Sequence, residues 1–172
     1  MSIRNWALVS GLTGIAANLL LVLFYVTARP WEPGADGNWL GTVNDYLVAV
    51  QFATLAPVAA GLRVWTRVSV GCCAAIVVLQ VLLVTGVLPF EVQVAPVGLC
   101  IVTLMVWVGA AGRRTHRAEL LARFVAWGAI VGGAIFLAGF VVVWLAELDG
   151  PYWVLAALPA AVAWMAFPLW PL

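Results

Sequence analysis

The residues of this chain that could do chemistry are few and unevenly placed. Its 172 residues include seven carboxylates, one histidine and three cysteines. The densest polar group is Asn44, Asp45, Gln51 and Thr54, with Tyr46 beside it. Steps of three from Asp45 through Val48 and Gln51 to Thr54 keep a broad stripe on one side of a helix. Asn18, Gln80, Thr85, Glu91 and Gln93 lie in or beside other apolar stretches, again toward one end of each. Amides in apolar surroundings need hydrogen-bond partners. Two arrangements provide them. One is a pocket between the first three helices, lined by Asn18, Asn44, Asp45, Gln51, Gln80 and Gln93, for a small polar or amphipathic ligand. The other is a set of interhelical hydrogen bonds with no ligand.

Among the carboxylates, Asp45 is the first candidate for a proton site, a cation site or a ligand anchor. Its place near a helix N-terminus also suits it to capping, with Asn44 sharing that role. Glu32 and Glu91 each end a Pro-aromatic-Glu triplet, Pro30-Trp31-Glu32 and Pro89-Phe90-Glu91. Two carboxylates brought together could do acid–base work. The triplets resemble the Pro-x-Glu signature of membrane-embedded lycopene cyclases, which implies protonation of a polyene; the resemblance covers three residues per copy. Two interfacial turns of ordinary composition would look the same.

Other chemistries lack their residues. His116 stands among arginines with no second histidine, so no metal site and no haem pair is expected. No phosphate loop or nucleophile motif occurs, and no cofactor is expected. Cys72 and Cys73 fall near the inner end of the third apolar stretch and Cys100 in the outer half of the fourth. That predicts a depth difference of roughly 10–15 Å and no disulfide to Cys100.

The elements that must position these groups follow from composition. Hydrophobic residues make up 66% of the chain and charged residues 9%, against about 25% charged in soluble domains. Such a chain needs lipid around it, and in lipid only helices and closed barrels satisfy the backbone. The apolar runs are continuous rather than alternating, which predicts helices. A span takes about 20 apolar residues. Six stretches qualify: 6–28, 44–61, 68–88, 92–111, 124–146 and 152–169. The expected fold is thus an all-α integral membrane bundle of six transmembrane helices forming one polytopic domain. Pro96 leaves open a late start for the fourth helix, and with it a five-span alternative. The first stretch exceeds the apolar core of a signal peptide, which predicts a retained helix.

Orientation follows from the arginines, since cytoplasmic loops collect basic residues. With the N-terminus inside, Arg4, Arg63, Arg67, Arg113, Arg114, Arg117 and Arg123 lie inside and only Arg29 lies outside, placing both termini in the cytoplasm. Glu32, Asp36, Asp45, Glu91, Glu147 and Asp149 fall outside. Dropping the fourth span would move Arg113–Arg123 to the acidic side, which favours six. Nine of ten tryptophans, Trp107 among them, then fall near an interface, as an aromatic belt requires; Trp164 lies within a span. All basic residues are arginine, in keeping with a GC-rich bacterial genome and a plasma-membrane location. The longest outer loop is expected over 29–43 and the longest inner loop over 112–123, with Asp149-Gly150-Pro151 as a tight turn.

Small residues at four-residue spacing mark close helix contacts: Ala7, Ser10, Gly11 and Gly14; Gly128 and Gly132; and Ala156, Ala157, Ala160 and Ala161. Gly128 and Gly132 could serve a homo-oligomer, a partner subunit or packing within the bundle. Pro159 is expected to kink the sixth helix. Arg113, Arg114, Arg117 and Arg123 could bind anionic lipid, or serve only to set topology. A net charge of +1 argues against nucleic acid. Size and topology are similar to the six-helix substrate-binding subunits of energy-coupling-factor transporters, which implies an outward site capped by loops. Three functions therefore remain open: binding or transport of a small molecule, catalysis on a lipid or isoprenoid, and an accessory role in a membrane complex.

Overall fold

The computed structural model describes residues 1–28, 39–116, 118–146 and 160–172, without the side chains of Glu91 and residues 135–146. Among these residues all regular structure is helical. In chain order the helices are α1 (Ile3–Ala28), α2 (Trp39–Leu62), α3 (Thr66–Val84), α4 (Phe90–Thr115) and α5 (Glu119–Ala146). A C-terminal helical segment, Ala160–Leu169, ends in a 3₁₀ turn over Phe167–Leu169. Helices α1, α2, α3 and Val92–Thr115 of α4 are long and apolar enough to cross a membrane. Of the expected sixth span, residues 152–159 lie outside the described residues, as do Pro159, Ala156, Ala157 and the Asp149-Gly150-Pro151 turn.

The chain divides into two compact units, residues 1–101 with 171–172, and residues 102–170. In the first, α1 runs antiparallel to α2. Ile3 lies over Gly61, Ser10 over Gln51 and Phe24 over Gly41. The face α1 turns inward is made of Ala7, Ser10, Gly11, Gly14, Ala17 and Asn18. These short side chains let two backbones approach, which is how helices attract one another where lipid removes the hydrophobic drive. Helix α2 packs on both α1 and α3, and its buried residues, including Val48, Phe52, Leu55, Val58 and Ala59, form the centre of the unit. Helix α3 buries a single stripe of Ser69, Cys73, Ile76 and Gln80, the spacing expected of one helix face.

The turns are short. Arg63 and Trp65, both at positive φ (53° and 45°), reverse the chain between α2 and α3. Gly86, at φ 72°, ends α3, with its N–H bonded to the Leu83 carbonyl and that of Val87 to Leu82. A residue with a Cβ is disfavoured in that left-handed conformation. Helix α4 then starts at Phe90 and continues through Pro96 without a break. The late start that Pro96 left open does not occur: the helix begins six residues before the proline and contains it.

In the second unit, α5 meets α4 where Ala126 lies against Gly109, and meets the C-terminal segment where Ala160 lies against Gly132. A methyl group at Gly132 would stand 2.6 Å from the Ala160 Cβ and 2.7 Å from its nitrogen, so this glycine is occupied by packing within the unit. Trp107 is wholly buried, edge-on to Trp170 with centroids 5.5 Å apart. Its ring is packed inside the unit rather than turned outward, against another tryptophan expected at the same interface. Among the described tryptophans, Trp39, Trp65 and Trp127 are exposed. The loop expected over 112–123 is also much shorter. Arg113 and Arg114 close the last turn of α4 and Glu119 opens α5, charges that complement the two helix dipoles. Arginine and glutamate are good helix formers, so the helices outrun their apolar segments. Helix α2 likewise begins at Trp39, five residues before the apolar stretch that marks it in the sequence.

Candidate functional site

The polar residues of the first unit are placed by helix register. The three α1–α2 contacts put Asn18 level with Asn44 and Asp45. Both asparagines are buried, and Asp45 is half-buried with its carboxylate hydrogen-bonded to the Asn44 side chain. On α3 and α4, the Cys72 thiol lies within hydrogen-bonding reach of Cys100, and the same antiparallel register brings Gln80 level with Gln93. This corrects the expected depth separation of the cysteines. Counted from the turn that α3 and α4 share, both thiols lie roughly 15–18 Å down their helices. All three cysteines are free thiols.

Gln51 joins this layer from α2. It stands 11 residues before Leu62, where α2 ends, while Gln80 stands 14 residues after Thr66, where α3 begins. At ~1.5 Å per residue the two differ in depth by roughly 5 Å. Successive helices α2, α3 and α4 thus carry one glutamine each within about a helical turn of depth, and α1 and α2 carry the Asn18, Asn44 and Asp45 group.

The glutamines are enclosed: Gln51 is 1% exposed, Gln80 6% and Gln93 2%. The backbone carbonyl of Gln51 accepts from two hydroxyls, Ser10 Oγ on α1 and Thr54 Oγ1, each at 3.0 Å. Its side chain is treated differently. Gln51 Oε1 and Nε2, Gln80 Oε1 and Gln93 Nε2 are buried with no hydrogen-bond partner in the protein. Each such atom costs about 1–3 kcal/mol of desolvation, and native proteins hold few of them. Two acceptors and two donors at similar depth on three successive helices are thus left without a protein partner.

The remaining expected residues fall elsewhere. Tyr46 and Thr85 are exposed, and the Thr85 hydroxyl bonds the Val81 carbonyl of its own helix. Glu32 lies outside the described residues, and so does the Glu91 side chain, although its backbone belongs to the first turn of α4. The two Pro-aromatic-Glu triplets are therefore not brought together among the described residues. No group of three or more metal-binding side chains occurs among them either. Ser10 is the residue that sequence reasoning assigned only to packing; its hydroxyl holds the Gln51 backbone. Spacing could not have revealed this, since a serine on a small-residue face reads the same with or without a partner. No family model matches the chain, and no curated protein or solved structure is similar to it.

Proposed function

We propose that this chain is a multi-pass plasma-membrane protein that binds or transports a small polar or amphipathic molecule. The ligand is held at the glutamine layer of α2, α3 and α4, and the Asn18, Asn44 and Asp45 group lies toward the adjoining end of α1 and α2. The observation that carries this reading is the set of four enclosed amide atoms without a protein partner on Gln51, Gln80 and Gln93. A purely structural amide network would pair those atoms with one another, because an unpaired amide in a low-dielectric interior is expensive. The six-span arrangement with both ends in the cytoplasm is part of the proposal. The length of α1 to α4 supports it, as do the apolar stretches 124–146 and 152–169. In that frame the glutamines lie toward the outer surface, away from the arginines.

The test is native mass spectrometry of protein purified in mild detergent, followed by extraction and identification of any bound mass. The reading expects a small molecule retained by the native chain and lost from Gln51→Leu and Gln80→Leu at equal yield. A native chain that never carries such a mass, in detergent or in lipid discs, counts against it.

A further inference from the structure

The second unit holds a cleft of about 290 Å³ between α4 and α5 that plays no part in the glutamine layer. Its floor is the close approach of Gly109 to Ala126. That contact fixes the antiparallel register of the two helices. One turn further along α4 stands Arg113, and one turn back along α5 stands Arg123. The two guanidiniums therefore flank the same end of the cleft. One turn in the opposite direction, Val106 and Ile130 line its other end. The cleft is graded along its length, cationic at one end and apolar at the other.

Two guanidiniums, Arg113 and Arg123, stand at the cationic end, with Glu119 beside Arg123 and His116 3.9 Å from that same carboxylate. Arg123 pairs with Glu119, which leaves further donors on a guanidinium that carries five. Trp127, 63% exposed, lines the cleft, and Ile130 is 45% exposed. Tryptophan beside arginine at the end of an apolar helix is the pattern of a headgroup boundary.

We propose that this cleft seats an anionic phospholipid. Its phosphate lies between Arg113 and Arg123, and the start of one acyl chain runs over Gly109 and Ala126 toward Val106 and Ile130. Bidentate guanidinium geometry suits phosphate oxygens. An apolar tail continuing directly from the phosphate distinguishes a lipid from a free anion, which would have no use for the Val106–Ile130 end. The volume suits a headgroup and its first carbons, with the rest of the chains in the bilayer.

The experiment is a native mass spectrometry titration of delipidated protein with phosphatidylglycerol and phosphatidylcholine, with inorganic phosphate as competitor. We expect phosphatidylglycerol to bind preferentially. Losing both arginines in R113Q/R123Q should weaken its binding by roughly 25-fold, about five-fold for each, and remove the preference over phosphatidylcholine. I130W, which keeps both arginines but fills the apolar end, should also lose the lipid; it serves as the readout if R113Q/R123Q does not fold. R4Q/R67Q should keep the preference. Equal binding of the two lipids, an equal loss in R4Q/R67Q, or displacement of the lipid by millimolar phosphate would each overturn the proposal.

Discussion

Replacing Gln51 by Leu separates a ligand site from a structural network, because the two roles predict opposite changes in stability. Both polar atoms of this side chain are buried without a protein partner, and leucine is of similar size. If each atom carries a desolvation cost of about 1–3 kcal/mol, removing both relieves the ligand-free protein of roughly 2 kcal/mol or more. For a chain of this length ~1 kcal/mol corresponds to about 2–4 °C in Tm, so Gln51→Leu should melt roughly 4–8 °C higher. The backbone is unaffected, since the Gln51 carbonyl keeps its hydroxyl donors from Ser10 and Thr54. Ligand retention should disappear in the same variant. The assay is a thermal scan in detergent at fixed rate, on protein stripped of small molecules, beside native mass spectrometry of unstripped protein. A Tm lowered by several degrees, with any bound mass unchanged, would refute the reasoning, because it would mean that the amide is satisfied within the fold.

Further outcomes follow from the packing. In a Cys73→Ser background, mild oxidation should join Cys72 to Cys100, read as a mass loss of two hydrogens with the fold retained; thiols 10–15 Å apart would not react. Gly132→Leu should cost more than about 2 kcal/mol, read as a fall in Tm and in monodisperse yield, because Ala160 backbone atoms occupy the space. Gly133→Ala meets nothing within 4 Å, should change Tm little and controls for glycine loss on the same helix. Ser10→Ala should cost only about 0.5–1.5 kcal/mol, since Thr54 still serves the carbonyl. Reporter fusions at the two termini should both register the cytoplasm, and termini on opposite sides would remove the six-span arrangement.

The helices are legible because the apolar runs are long and continuous, without the alternation of strands. The small-residue face of α1 was readable for a related reason: Ala7, Ser10, Gly11 and Gly14 repeat at helical spacing where close packing is the main attraction left. The polar residues could be named, because Gln51, Gln80 and Gln93 are conspicuous in such surroundings. What could not be read was register. Whether Cys72 meets Cys100, or Gln80 meets the level of Gln93, depends on where α3 stops and α4 starts. The Gly86 turn and the Phe90 start decide that, and an apolar window blurs both. The burial of Trp107 was hidden too, since an interfacial and a core tryptophan stand equally near the end of an apolar stretch. Helix ends beyond the apolar stretches are not legible in hydropathy, because Arg113, Arg114 and Glu119 extend the helices through propensity and dipole complementarity.

Gln51 concentrates the tension between stability and function in one residue. Its backbone belongs to the scaffold: the carbonyl takes a hydroxyl from α1 and another from its own helix, at the contact where small α1 side chains bring the two backbones close. Its side chain adds nothing to that scaffold that leucine could not supply. A buried amide with both atoms unpaired is a local cost, and such costs persist when the fold is over-determined around them and the group is used. The α1–α2 contact meets the first condition. A ligand with its own donor and acceptor would meet the second, and binding it would return the desolvation cost as affinity. On this argument Gln51→Asn is as informative as Gln51→Leu. It keeps both kinds of polar atom but draws them back by one methylene, so it should lose the ligand without gaining the stability that leucine brings.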